Sequence, residues 1–197
     1  MREKLMLYGT TRKLLVAFMM ALVIAAPGCK YLSRASDDQT KEANKLQEEA
    51  DQLASKVDEA HNQATQKEDA IKAEKKVKTR QQLNDEESSL YDQAISDAKS
   101  AAEKYEQASK LKVDEKYRQY LDLRAQLMRK VGAHLTALKE LPTARKDTSR
   151  QGQRTLRDKQ ADIKTRADKL KKEVDDLKAQ ADKMQKENGD KFKAKTA

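Results

Sequence analysis

The side chains best suited to metal or acid–base chemistry in this chain are two histidines, His61 and His134. Asp58 lies three residues before His61, which would place both side chains on one face of a helix. No acidic residue lies within one turn of His134, and no cysteine lies near either histidine. A zinc site needs three or four such ligands. We therefore expect a surface His61, a partly buried His134 and no metal site.

The carboxylates follow the pattern of solvated helix faces, as in Glu48-Glu49 and Asp175-Asp176. A general acid or base needs a shifted pKa beside its substrate, and nothing in the sequence places a carboxylate pair in an apolar cleft. The five glycines are scattered, so no glycine-rich loop is available to hold a phosphate. The sequence predicts no catalytic residue, no cofactor and no small-molecule substrate. We interpret the chain as a protein that is not an enzyme.

Cys29 is the only cysteine, and it follows a segment typical of secreted proteins. A basic amino-terminal stretch precedes an uncharged apolar run from Leu14 to Ala26, and Pro27 and Gly28 come next. This order describes a secretory signal peptide. A membrane-spanning helix needs about 20 apolar residues, more than this run offers. We predict that residues 1–28 are a signal peptide.

The residues Ala26-Pro27-Gly28-Cys29 resemble the lipobox of bacterial lipoproteins. The resemblance implies that a diacylglyceryl group is attached to the Cys29 thiol, that the signal is cut before this residue, and that the new amino terminus is acylated. Two or more acyl chains hold a protein stably on a membrane. Two other interpretations stay open, namely an ordinary signal cut near Gly28 and an uncleaved amino-terminal anchor. In Gram-negative lipoproteins an Asp after the cysteine resembles an inner-membrane retention signal, so Lys30 favours the outer membrane.

Charge dominates the composition, with 38% charged residues, 4% aromatic residues and a net charge of +9. So few apolar residues would suit disorder, but a chain rich in Ala, Glu, Lys, Leu and Arg with a repeat near 3.5 residues is typical of a coiled coil. Residues 29–109 carry 13 basic and 18 acidic side chains, and residues 110–159 carry 14 and 6. These opposite signs favour contact between the two segments. Acidic residues dilute the basic ones and stacking aromatics do not interleave with them, so we expect no nucleic-acid binding.

The apolar residues recur at alternating steps of three and four, which predicts an all-α fold of long amphipathic helices in an up-down-up three-helix bundle or coiled coil. We expect a tether at 29–36, a bundle over 37–190 and a flexible tail at 191–197. The predicted helices are about 37–82, 86–140 and 145–188, with Asn84 as a cap and Leu141-Pro142 as the strongest break. The stripes contain these residues: Ala43, Leu46, Ala50, Leu53, Val57, Ala60, Ala64, Ile71, Tyr91, Ala94, Ala98, Ala101, Tyr105, Ala108, Tyr117, Tyr120, Leu121, Leu127, Met128, Val131, Leu135, Leu138, Leu156, Ile163, Ala167, Leu170, Val174, Leu177, Ala181 and Met184.

A basic turn follows the predicted second helix. If helix one leaves the membrane and helix two returns, this turn ends near the lipid surface. Its side chains could then contact anionic headgroups, at about 1 kcal/mol for each basic residue. The simpler alternative is a solvated polar loop. The candidate contact residues are Arg145, Lys146, Arg150 and Arg154.

These observations predict a non-enzymatic protein of the cell envelope that faces the periplasm and is anchored by Cys29. Its helices would act as a spacer or docking scaffold, with the heptad faces available to a protein partner or a second copy. The alternative is a peripheral module whose basic middle segment binds anionic lipid or cell-wall polymer. A third hypothesis is an accessory subunit that helps a protein complex to assemble.

Overall fold

The computed structural model describes the backbone of residues 28–146 and 150–192. Four α-helices follow one another: α1 (Gly28–Ala73), α2 (Val77–Ser109), α3 (Glu115–Lys146) and α4 (Arg150–Asn188). A single 3-10 turn, Gly189–Phe192, ends the described chain. Every regular element among these residues is helical, so the prediction of an all-α fold is confirmed.

Each helix packs against the next one along the chain, and the ion pairs show that α1 and α2 are antiparallel. Lys104 near the end of α2 pairs with Glu49 of α1 at 2.5 Å, and Glu86 near the start of α2 pairs with Lys67 of α1 at 2.6 Å. The predicted three-helix up-down-up bundle is not confirmed, because the described residues form four helices.

The prediction of one helix over 86–140 is wrong, because the chain turns at 110–114. The Asp114 carboxylate accepts a hydrogen bond from the Lys116 amide at 2.8 Å, which caps the start of α3. The Gln39 side chain of α1 accepts the Lys112 amide at 2.6 Å. Leu111 and Val113 pack partly buried on the core. We call this end of the bundle, where α1 also begins, the near end.

The first connection lies at 74–76 rather than at 83–85. Lys76 is extended, with φ −81° and ψ 123°, and its amide donates to the Glu74 carboxylate at 2.7 Å. Asn84 does not cap a helix, because it lies within α2 and is 4% exposed. We call this end, where α3 also ends, the far end.

Pro142 does not end the third helix, because α3 continues to Lys146. Proline removes one backbone hydrogen bond and crowds the preceding turn, which normally ends a helix. Here the ring is buried, and one turn later Arg145 binds carboxylates on both α1 and α2. These tertiary contacts hold the last turn in helical geometry.

The predicted apolar stripes form the core, but alanine fills much of it. Small residues let helices approach closely, as where a methyl group in place of a Gly132 hydrogen would lie 3.8 Å from the Ala98 methyl carbon. At about 25 cal/mol per Å² its small side chain contributes little burial energy. The larger buried side chains of the core are Val57, Tyr91, Tyr105, Tyr117, Leu121 and Leu135.

Within residues 28–146 and 150–192, no helix combines the length and the apolar character needed to cross a bilayer. The apolar run Leu14–Ala26 lies outside the described residues. The predicted tether at 29–36 instead has a helical backbone, since α1 begins at Gly28. No proline or glycine occurs from residue 30 to residue 36, so nothing there interrupts the helix.

Candidate functional site

The proposed attachment residue, Cys29, lies in the first turn of α1, and its side chain is outside the described part of the chain. Its lipobox neighbours Ala26 and Pro27 are outside it as well. What the backbone does give is continuity, because α1 runs for 46 residues from Gly28 to Ala73 without a break. At 1.5 Å per residue this helix is about 70 Å long.

Arg145, a predicted surface contact, is placed inside the bundle. Its side chain is 12% exposed. One guanidinium nitrogen donates to Glu87 Oε2 at 2.7 Å, and the other donates to Glu68 Oε1 at 3.2 Å. Because both bonds point into the bundle, Arg145 holds three helices together and does not face an external surface.

The other three basic residues of this turn differ from Arg145. Lys146 is exposed and forms an ion pair with Asp85 at 2.7 Å. Arg154 is exposed on the first turns of α4. The Arg150 backbone begins α4, and its side chain lies outside the described residues.

The basic turn is at the far end of the bundle, not beside the start of α1. Glu68, the α1 partner of Arg145, lies 39 residues after Cys29 on the same continuous helix. That separation corresponds to about 60 Å along the axis. The expected position beside the start of the first helix is therefore wrong, because the additional turn at 110–114 reverses the chain once more than predicted.

A second basic segment lies at the same end. The connection after α1 and the first turn of α2 expose Lys75, Lys76, Lys78 and Arg80. The sequence shows this run of charges, but it does not reveal that the run shares an end of the bundle with Arg145 and Lys146. Its position depends on the turn at 110–114, whose signal is the single capping residue Asp114.

Three polar layers cross the bundle, centred on Arg124, on the two histidines and on Arg145. The groups of the Arg124 layer, which lies nearest the start of α1, are hydrogen-bonded to one another. Arg124 of α3 donates to Asp51 of α1 at 2.7 Å and to the Tyr105 hydroxyl of α2 at 2.6 Å. The Tyr105 hydroxyl in turn donates to Asp51, and its ring lies 5.1 Å from the Arg124 guanidinium carbon. We call these three residues the Arg124 layer.

The tyrosines predicted in the core are buried there, so that prediction is confirmed. Their hydroxyl groups make the contacts that the stripe pattern could not indicate. The Tyr117 hydroxyl lies 2.7 Å from Asn44 Oδ1 and 2.8 Å from Gln47 Oε1 of α1. The Phe192 ring stacks on Tyr117 and on Tyr120, each at 5.0 Å between centroids, which closes the near end.

The two histidines meet in the middle of the bundle. Their ring centroids lie 6.1 Å apart, and His61 is 6.2 Å from the Tyr91 ring. His134 Nδ1 donates to the Ala167 carbonyl of α4 at 3.0 Å. Burial lowers the pKa of both imidazoles. The expectation of a surface His61 is wrong, since its Nδ1 is buried and has no partner among the described residues.

The third layer, which we call the Arg145 layer, contains a fully buried carboxylate. Glu87 is 0% exposed, its Oε2 binds Arg145, and its Oε1 has no partner within the described residues. Burial raises the pKa of Glu87 to about 7, and the Arg145 charge opposes that shift. Asn84, one turn earlier, also leaves its buried Oδ1 unpartnered in this part of the chain.

These arrangements bind helices to one another and present no reacting group to solvent. Glu87 is sealed inside the bundle, and the guanidinium groups of Arg124 and Arg145 are held by carboxylates. What remains accessible is charge, which lies along all four helices and includes the basic run Lys75–Arg80 at the far end. Comparison with protein-family models, with curated proteins and with solved structures finds no match for this chain.

Proposed function

We propose that the protein is a non-enzymatic lipoprotein of the bacterial cell envelope, attached to a membrane through Cys29. Its helical bundle acts in the periplasm as a spacer or docking scaffold, and the outer membrane is the favoured location where the host has one. The single observation that carries this proposal is the position of the only cysteine, which follows an apolar run after Pro27 and Gly28 and lies in the first turn of a long helix.

Continuity of the first helix supports the spacer role. A rod that keeps a fixed distance must not bend where it meets its anchor, and α1 runs through Gly28–Ala73 without a glycine or proline after its first residue. The following helices stiffen α1 through cross-helix ion pairs such as Glu49–Lys104 and Lys67–Glu86. Bending α1 would require these contacts to break together.

Among the residues that the structure describes, the two histidines and the buried carboxylate take part in helix packing, which suits a scaffold. The two histidines are engaged in the core, and burial lowers the pKa of both imidazoles. The buried carboxylate with the most perturbed pKa, Glu87, has no route to a substrate. These groups specify helix packing.

Mass spectrometry of the mature amino terminus tests the anchor. The full chain is expressed in a bacterium, extracted with detergent and compared with the Cys29→Ser variant. We expect the native chain to begin at Cys29 and to carry acyl groups, while the variant keeps its signal segment. A mature chain with an unmodified thiol that leaves the membrane in mild salt would overturn the proposal.

Sedimentation velocity of the detergent-extracted chain tests the spacer. An elongated bundle about 70 Å long has a higher frictional ratio than a compact protein of the same mass. The same measurement reports whether the heptad faces form a homo-oligomer. A compact frictional ratio would contradict the spacer role, whatever the state of Cys29.

A further inference from the structure

The far end exposes basic side chains whose charge is not neutralised locally. Lys75, Lys76, Lys78 and Arg80 are exposed, and their side chains form no ion pair with any residue that the structure describes. The nearby Glu74 carboxylate is occupied by the Lys76 amide, and Asp85 pairs with Lys146. The positive charge of this segment is therefore available to a partner.

The near end differs, although it is also rich in basic residues. There Lys110 pairs with Glu106 at 3.2 Å, and Arg118 pairs with Glu115. The Arg124 charge is balanced by Asp51. Asp114 and Glu115 also lie among the basic residues of this end, whereas residues 75–80 contain four basic residues and no acidic one. The two ends therefore differ in their local balance of charge.

Distance separates the far end from the proposed anchor. The connection at 74–76 follows α1 directly, so it lies about 70 Å along the axis from Gly28. Attraction between charges in solution at physiological salt falls off over about 8 Å. With the bundle upright, the membrane that holds Cys29 is beyond the reach of these lysines.

The chemistry of the far end favours a polymer over a second membrane. Binding to a lipid surface gains most from aromatic or leucine side chains that enter the headgroup region. Val77, 56% exposed, is the one large exposed hydrophobic residue in the described chain, and charged side chains surround it. One valine adds little insertion energy, whereas spaced lysines match the repeated anionic groups of a polymer.

We infer that the far end of the bundle, through the basic side chains of residues 75–80, binds an anionic cell-wall polymer bearing carboxylate or phosphate groups. This inference rests on the proposed anchored spacer. The bundle is attached to the membrane at its near end and binds the wall polymer at its far end. The bundle thereby sets the distance between them.

Cosedimentation of the full chain, kept in detergent, with purified peptidoglycan sacculi tests this inference. The far-end variant replaces Lys75, Lys76, Lys78 and Arg80 with Gln. The matched near-end variant makes the same change at four exposed lysines, Lys41, Lys45, Lys112 and Lys116. Glutamine keeps helix propensity, so both variants lose equal charge with little change in helix content. Circular dichroism checks that both variants fold.

We expect the near-end variant to bind like the unchanged chain, and the far-end variant to bind at least about tenfold more weakly. Raising the salt concentration should remove the difference. Failure of the unchanged chain to sediment, equal binding by all three proteins, or an equal loss in both variants would overturn the inference. So would far-end-dependent binding to phosphatidylglycerol vesicles without binding to sacculi.

The outcome is separable from that of the anchor experiment. The intact mass of the same sample reports the state of Cys29, and binding to sacculi in detergent does not require the acyl groups. A chain with an unmodified Cys29 that still binds through its far end would remove the anchor and support the polymer site.

Discussion

The Arg124 layer and the Arg145 layer both join α1, α2 and α3 through an arginine, but they use different partners. In each layer an arginine of α3 binds a carboxylate of α1, namely Asp51 in one and Glu68 in the other. The third helix, α2, supplies the neutral hydroxyl of Tyr105 in the first layer and the carboxylate of Glu87 in the second. The first layer therefore balances one positive charge with one negative charge.

The second layer places two carboxylates on one guanidinium. Glu87 is sealed from water, and one of its oxygens has no partner among the described residues. A buried ion with an unsatisfied acceptor is costly, and the carboxyl group responds by holding its proton more tightly. A layer whose partner on α2 is a hydroxyl is insensitive to pH near neutrality. A layer whose partner on α2 is a second carboxylate contains a group that titrates close to pH 7.

The largest expected effect comes from removing each arginine in turn. Arg145→Ala leaves Glu87 buried without its cation, so we expect a loss of about 3–5 kcal/mol in the free energy of unfolding at pH 8. Arg124→Ala leaves Asp51, whose side chain is 43% exposed and can be hydrated, so the loss should be about 1–2 kcal/mol. Urea unfolding of both variants measures the difference. Equal losses would show that burial of the carboxylate does not distinguish the layers.

The next effect is a pH dependence confined to the Arg145 layer. A carboxyl group whose folded pKa is raised binds its proton more tightly when folded, so its contribution to stability rises as pH falls from about 7 towards 4.5. Glu87→Gln mimics the protonated side chain. We expect the variant to exceed the unchanged chain by about 2–3 kcal/mol at pH 8 and by progressively less below pH 7. Thermal and urea unfolding between about pH 5 and pH 8 measure the difference.

The neighbouring residue Glu86, which is half-buried, supplies the control for that prediction. Glu86→Gln removes a charge that pairs with Lys67. It should leave the pH dependence of the unchanged chain intact. If Glu87→Gln and the unchanged chain have parallel stability curves, Glu87 does not titrate in this range.

The smallest expected effect sharpens the account of the Arg124 layer. Tyr105→Phe removes the hydroxyl that accepts from Arg124 and donates to Asp51, while the ring stays beneath the guanidinium. We expect a loss of about 1–2 kcal/mol that does not vary between about pH 6 and pH 8. A pH-dependent loss would mean that a charged group carries the layer. Urea unfolding at the two pH values decides between these outcomes.

Local patterns predicted what depends on neighbours in sequence. The spacing of Ala43, Ala50 and Val57 on α1 fixes one buried face, and the tyrosines of α2 and α3 fall on the faces that the period assigns to them. The predicted helix end at Pro142 is wrong, because long-range contacts override the local rule that proline ends a helix. Arg145 and Glu87 are 58 residues apart, so their pairing could not be found before the helices were placed.

The candidate site was predicted in residue type but not in position. The basic segment was visible in the sequence, yet its place along the bundle depended on one turn at 110–114. That turn contains no glycine or proline, and its signal is the capping carboxylate of Asp114. An aspartate in a charged helical sequence is common, so the pattern alone could not single it out.

The unbroken α1 makes the bundle a lever. Because α1 is continuous from Gly28 to Ala73, a rotation at its amino-terminal turn moves the far end sideways by a distance proportional to the length of the helix. A tilt of about 10° would move Lys75 and Lys76 sideways by about 12 Å. Small changes of inclination at the base thus become nanometre excursions at the tip.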